Sequence, residues 1–417
     1  MNRTNPLKST FFFWKRQNHN WKVTMARTSM EKFGYQMIFP YLSIYIVALG
    51  ATKTQLGLVT SIGMAVSGLL GPLTGILIDR IGPKKIYLAG IVLLMASYLI
   101  YAAAPNWVWC LLAMSVYWIG NSSAGHSCAT ICANCLPSCD RARGMMLCET
   151  AAAGLLGLAS PMLAALLIER LGGVSAASLR PLFYISFTLT ALSFVLVLTK
   201  LSDIKWVSKQ KPLSNPFKDS ILILKNNRAA QKWLAIGALS KLPFGLILPF
   251  TQVFAQEIKG ANSYVLGAMV TATALTTIVF GLPSGMLADK FGRKKVLYIL
   301  IPLFWAANLI LVWAPSPAFL ILSGILLGFY YIMSPITGAI EMEVVTAEQM
   351  GRWLGMNHLV KSFFGAAMAL AGGLIWDKVG PQYVFLIYIG IDLIFRIPLL
   401  ISMPETLASK AAPKSDT

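Results

Sequence analysis

The stretch Gly75-Ile76-Leu77-Ile78-Asp79-Arg80-Ile81-Gly82-Pro83-Lys84-Lys85 joins two long apolar segments. The chain writes it again, 210 positions on, as Gly285-Met286-Leu287-Ala288-Asp289-Lys290-Phe291-Gly292-Arg293-Lys294-Lys295. At the same offset Gly71, Gly50 and Gly57 return as Gly281, Gly260 and Gly267. One register away, at 209, Lys32, Ile38 and Pro40 match Lys241, Ile247 and Pro249, and Arg143 matches Arg352. Matches this dense at nearly one spacing mark an internal duplication. A parallel duplication of apolar segments predicts two similar helical bundles facing each other, with a solute site between them near the membrane midplane.

The composition agrees with a chain solvated by lipid. Of the 417 residues 56% are hydrophobic and only 12% charged, whereas a soluble domain carries about 25% charged residues. A bilayer core needs roughly 20 apolar residues per helix. Segments of that length run over 25–50, 54–79, 84–104, 106–136, 143–168 and 180–200, then 232–256, 262–289, 294–314, 316–346, 351–376 and 382–403. The expectation is an all-α membrane protein of twelve transmembrane helices in two pseudo-symmetric six-helix bundles, 25–200 and 232–403. A cytoplasmic tail (1–24), a Lys-rich linker (201–231) holding Pro212 and Pro216, and a second tail (404–417) complete it. The apolar patch Phe11 to Trp14 is too short for a signal-peptide core, so the first span is expected to be its own insertion signal.

The formal charge of +19 would suggest nucleic acid in a soluble protein. In a membrane protein, basic residues instead collect in cytoplasmic loops. With the N-terminus inside, the outer loops hold Lys53, Arg170, Arg180, Lys259 and Lys378, and the spans hold Arg27, Lys32, Lys241, Lys361 and Arg396. The other 25 of the 35 Lys and Arg fall on the cytoplasmic side. That asymmetry predicts cytoplasmic termini in a plasma or inner membrane and accounts for the charge without nucleic acid.

The two copies of the opening stretch resemble the loop motif of the major facilitator superfamily, G-x-L-a-D-r-x-G-r-k-k, which stands between its second and third helices and again between its eighth and ninth. On this resemblance, which covers essentially the whole chain, it is identified as a member of that superfamily. The resemblance implies secondary active transport of a small solute by alternating access, without enzyme activity, ATP site or cofactor. It also implies gating roles for Gly75, Asp79, Arg80, Gly82, Lys84 and Lys85 and for Gly285, Asp289, Lys290, Gly292, Arg293 and Lys294. Asp79 would meet the start of helix eleven near Arg352, and Asp289 the start of helix five near Arg143, latching the cytoplasmic side. Physically, glycines let membrane helices approach closely, and a carboxylate is favoured at a helix N-terminus. Pro83 stands where the family prefers Arg, which predicts a weaker N-terminal latch.

Ionisable residues inside spans are costly, about 2.5–3.5 kcal/mol each on insertion scales, and are functional candidates by default. Arg27 and Glu31 lie four apart on helix one and can pair. Glu149 lies on helix five, Lys241 on helix seven, and His358 with Lys361 on one face of helix eleven. Lys241 and Lys361 sit roughly 13 Å inside their helices, and Glu149 and His358 are shallower. In one reading Glu31 or Glu149 carries the coupling proton, while Lys241, Lys361 and Arg27 bind an anionic substrate or act as counter-charges. In the other, these residues form structural pairs or meet headgroup water. Asp392 and Arg396, four apart on helix twelve, read as a structural pair.

Six cysteines cluster within Cys110 to Cys148, and Cys128, Cys132, Cys135 and Cys139 share one helix face with His126 just before them. Eleven residues of helix rise about 16 Å, too far for one metal centre with bonds of about 2.3 Å, so packing is the expectation and no metal site is assigned. The family's drug-antiporter signatures are only loosely approximated by Gly120 in helix four and by Gly154, Gly157 and Pro161 in helix five; Glu31 matches the acidic residue of helix one in some drug exporters. The sequence therefore points to a monomeric, proton-coupled carrier of small organic solutes, with drug-type efflux first. Uptake of an organic anion and a non-transporting membrane sensor on the same fold are the alternatives.

Overall fold

The computed structural model describes residues 17–136, 152–202, 227–345 and 350–405, and every regular element among them is helical. The first half holds α1 (His19–Ile38), α2 (Leu42–Ala48), α3 (Lys53–Ile81), α4 (Pro83–Ala103), α5 (Trp107–Cys135), α6 (Ala152–Arg170) and α7 (Ala176–Lys200). The second holds α8 (Arg228–Leu246), α9 (Leu248–Glu257), α10 (Ser263–Phe291), α11 (Arg293–Trp313), α12 (Pro317–Glu343), α13 (Met350–Lys378) and α14 (Pro381–Ile391). A five-residue π turn, Asp392–Arg396, then leads into α15 (Ile397–Ile401). Nine helical stretches among the described residues are long and apolar enough to cross a bilayer.

The duplication is visible in the backbone. Helices α3 and α4 start and stop 210 residues before α10 and α11. The motif glycines Gly82 and Gly292 sit at φ 93° and 110°, and Gly50 and Gly260 at φ 93° and 67°. That left-handed region favours a residue without Cβ, so the repeated glycines place repeated turns. Side-chain caps set the opposite helix ends: Thr52 and Gln55 form a reciprocal capping box on α3, while Asn106 and Asn262 cap α5 and α10.

The first and seventh spans are broken, where hydropathy predicts single helices over 25–50 and 232–256. Helix α1 starts earlier than expected, with the Asn18 side chain accepting from the Asn20 N–H at 2.9 Å, and ends at Ile38 just before Pro40. Proline has no N–H to give and its ring clashes with the carbonyl four residues back. In the second half α8 ends at Leu246, and Pro249 sits in the first turn of α9.

The halves meet along two seams, α3 against α13 and α6 against α10. Both rely on absent side chains. A Cβ on Gly57 or Gly373 would collide with backbone of the facing helix, at Ala369 and Lys53 respectively. On the other seam a Cβ on Gly267 would stand 2.9 Å from the carbonyl oxygen of Pro161. Without a water-driven hydrophobic effect between helices, such close backbone packing is a main source of association in lipid.

Candidate functional site

A cavity of about 120 Å³ lies between the halves. Tyr35, Tyr98, Tyr117 and Trp118 line it from the first half, and Phe244 and Tyr331 from the second. Tyr35 stacks on Tyr117 with centroids 5.9 Å apart, and Trp118 meets Phe244 edge-on at 6.4 Å, bridging the halves. The break between α8 and α9 sets Leu248, Pro249, Thr251 and Gln252 in the same wall. The buried Gln252 Oε1 has no hydrogen-bond partner there. Flat aromatic walls with a few spaced polar groups suit a small organic molecule rather than a bare ion.

Below this cavity on α1, Arg27 and Glu31 form the expected i,i+4 pair at 2.5 Å, with Arg27 only 2% exposed. The guanidinium also lies over the Tyr87 ring, 5.0 Å from its centroid, a favourable placement for a desolvated cation. Glu31 sits one turn from Tyr35, a cavity residue.

The second half carries a denser charge cluster. The Lys361 ammonium donates to both carboxylate oxygens of Glu341 at 2.6 Å, and Asn357 Nδ2 donates to the same carboxylate at 2.7 Å. Gly237 makes room for them: a Cβ there would stand 2.6 Å from both Glu341 Oε1 and Lys361 Cε. Lys241 shares a small cavity with Lys361, and its ammonium lies over the Phe244 ring at 4.8 Å. Asp392 and Arg396 approach to 3.4 Å in the π turn, both buried, with Trp305 Nε1 donating to Asp392 at 2.9 Å. Sequence reasoning passed over Glu341 and Gly237. The carboxylate could have been flagged as an ionisable residue within the apolar segment 316–346.

His358 is held at the α3 seam, with Nε2 3.3 Å from the carbonyl oxygen of Ser67. His126 faces it across Gly71 and hydrogen-bonds Thr74 Oγ1 through Nδ1 at 2.7 Å. Cys132 is buried against Trp21 of α1, with Cys128 and Cys135 packed on the same cluster. Glu149, Arg143 and Cys139 lie outside the described residues, as does the side chain of Arg352.

The two ends of the bundle differ. At the end away from the motif, Lys53 pairs with Glu257 at 2.8 Å, and Asp377 accepts from the Thr54 N–H at 2.8 Å and its hydroxyl at 2.7 Å. Ser263 hydrogen-bonds Glu169 across the second seam. At the motif end the described residues leave space around Gly75 and Gly285. No described atom of a neighbouring group comes within 4 Å of where a Cβ would stand on either. Asp79 is exposed, and Asp289, 69% exposed, pairs among the described residues with Arg293 on its own turn at 3.4 Å. Arg293 also pairs with Glu343 at 3.0 Å, and Glu405 accepts from the Lys294 N–H at 3.1 Å, capping the start of α11.

A model of the Major Facilitator Superfamily matches residues 28–265 and again 233–416. The chain belongs to the major facilitator superfamily. Among relatives in this superfamily, multidrug resistance protein MdtG of Salmonella typhimurium is 24% identical over 395 residues, covering 90% of this chain and 94% of its own. Two solved structures share the fold. Nucleoside transporter NupG superposes with a TM-score of 0.72 at 16% identity, covering 92% of this chain and 100% of its own. A D-xylose–proton symporter gives 0.71 at 16% identity, covering 93% and 98%. The protein is thus a multi-pass membrane protein of the major facilitator superfamily, matched by relatives that are transport proteins.

Proposed function

We propose that the protein moves a small organic solute across the membrane by alternating access, coupled to protons, with drug-type efflux as the leading direction. The observation that carries this reading is the aromatic cavity on the seam of the halves, bounded at the end away from the motif by cross-half contacts of Thr54 with Asp377 and Lys53 with Glu257. Halves that trade these contacts would present the cavity to each side in turn. The motif end is taken as cytoplasmic, from the basic residues gathered there, with both termini on that side. Bundles 25–200 and 232–403 are the moving bodies, joined by the linker 201–231. Asp79, Asp289 and their basic neighbours would then close the motif end in the opposite conformation. The 24% identical MdtG, named for multidrug resistance, supports export.

Glu31 is the proposed proton carrier, with Arg27 as its counter-charge. A second reading, proton-coupled uptake of an organic anion, draws support from Lys241 and Lys361, which line one cavity.

Lumenal pH in proteoliposomes, followed while solutes are added one class at a time, tests the coupling. The expected outcome is a solute-dependent pH change that disappears in Glu31→Gln. Its sign separates export from uptake. Radiolabelled solute moving without proton flux, with Glu31→Gln transporting normally, would overturn it.

A further inference from the structure

Of the three cations that line one small cavity in the second half, Lys241 alone makes no salt bridge with a carboxylate among the described residues. Lys361 is held by Glu341 and Arg396 by Asp392, whereas Lys241 has only the face of Phe244. All three cations line a cavity of about 30 Å³ between α8, α12 and α13, room for about one or two water-sized ligands. Two neutral donors join them there, Ser334 and Thr337. Thr337 is 4% exposed, and its hydroxyl has no hydrogen-bond partner. A buried charge is costly unless it is paired, and a buried hydroxyl unless it is bonded. One small anion would satisfy both.

We infer that this cavity is a binding site for one small monovalent anion, a halide or the head of a carboxylate, held between the Lys241 ammonium and the Thr337 hydroxyl. Its surroundings select charge and size. Glu341 and Asp392 are in contact with their own cations and Asn357, Glu341 acts on Lys241 through space without a salt bridge to it, and the volume excludes a large polyanion. The site also borders the central cavity. Phe244 and Tyr331 line the large cavity, while Lys241 and Tyr330, their neighbours on the same helices, line the small one. An anion there is either a free ion or the carboxylate of a solute whose body lies in the aromatic chamber. The site stands whether or not protons drive transport.

The test is the thermal unfolding midpoint of the purified full-length protein, read by tryptophan fluorescence. Gluconate is replaced at constant ionic strength by chloride, formate or acetate. The midpoint is expected to rise saturably with at least one small anion. Half-saturation should move up about tenfold or more in Lys241→Gln, the loss of a charged partner, and return toward wild type in Lys241→Arg. Thr337→Val should weaken binding too, and it serves if Lys241→Gln does not fold. Activity of chloride and formate alike marks a free-anion site. Activity of the carboxylates with chloride silent marks a subsite for a solute carboxylate. Equal midpoints in gluconate and every small anion, or a shift unchanged in Lys241→Gln and Thr337→Val, would overturn the inference.

Discussion

Lys361 on α13 and Glu341 on α12 meet face to face, the ammonium 2.6 Å from each carboxylate oxygen. Trp353 and Asn357 of α13 hold the same residue, through the Glu341 backbone carbonyl at 2.9 Å and through its carboxylate. The carboxylate is 4% exposed. Removing one member of such a pair leaves the other charged and unanswered in a medium that solvates ions poorly.

Glu341→Gln should therefore destabilise the protein by about 3–5 kcal/mol, and Lys361→Met alone should do the same. The double variant Glu341→Gln/Lys361→Met should recover most of that loss, because no ion is left unpaired. Thermal unfolding of the three purified variants checks it. A double variant no more stable than the singles would show that the pair does not act as a unit.

Gly237 offers a steric counterpart. Its Cβ would stand 2.6 Å from both members of the pair, so Gly237→Ala should force them from α8, and Gly237→Val should do so more severely. Transport is expected to fall about tenfold or more, as small misplacements of positioned groups do, while surface expression of Gly237→Ala stays near wild type. Uptake or efflux assays normalised to expression measure it. Unchanged transport in Gly237→Val would show that the pair tolerates displacement.

The contact of Thr54 with Asp377 joins the halves at the end away from the motif. A Thr54→Cys/Asp377→Cys variant should form a disulfide under mild oxidation and stop transport, with a reductant restoring it. Each single variant should transport under both conditions. Full transport by the oxidised, crosslinked protein would mean that this contact need not open.

The sequence made the architecture legible because the duplication is written in residues that set backbone geometry. Gly82 and Gly292 turn the chain, and their 210-residue offset survives as equal helix limits. The Arg27–Glu31 pair was readable for a similar reason: it is local, four residues on one helix. Glu341 was not. It lies near the end of a long apolar segment, where a carboxylate reads as headgroup-level, and its partner Lys361 is on another helix. Gly237 is subtler still, since its role is to leave space for side chains of α12 and α13. The breaks near Pro40 and Pro249 could have been read from the prolines themselves, but hydropathy averages over them.

At Gly57 and Gly373 the α3–α13 seam sets main chain directly against main chain. Elsewhere on that seam side chains mesh, Met64 into the space at Gly365 and Ser362 into that at Gly68. On the function proposed above, the residues that would choose the cargo and those that form this bearing are largely different. Exchanging Tyr117 or Trp118 would then retune what is carried while the bearing on which the machine turns is left as it was.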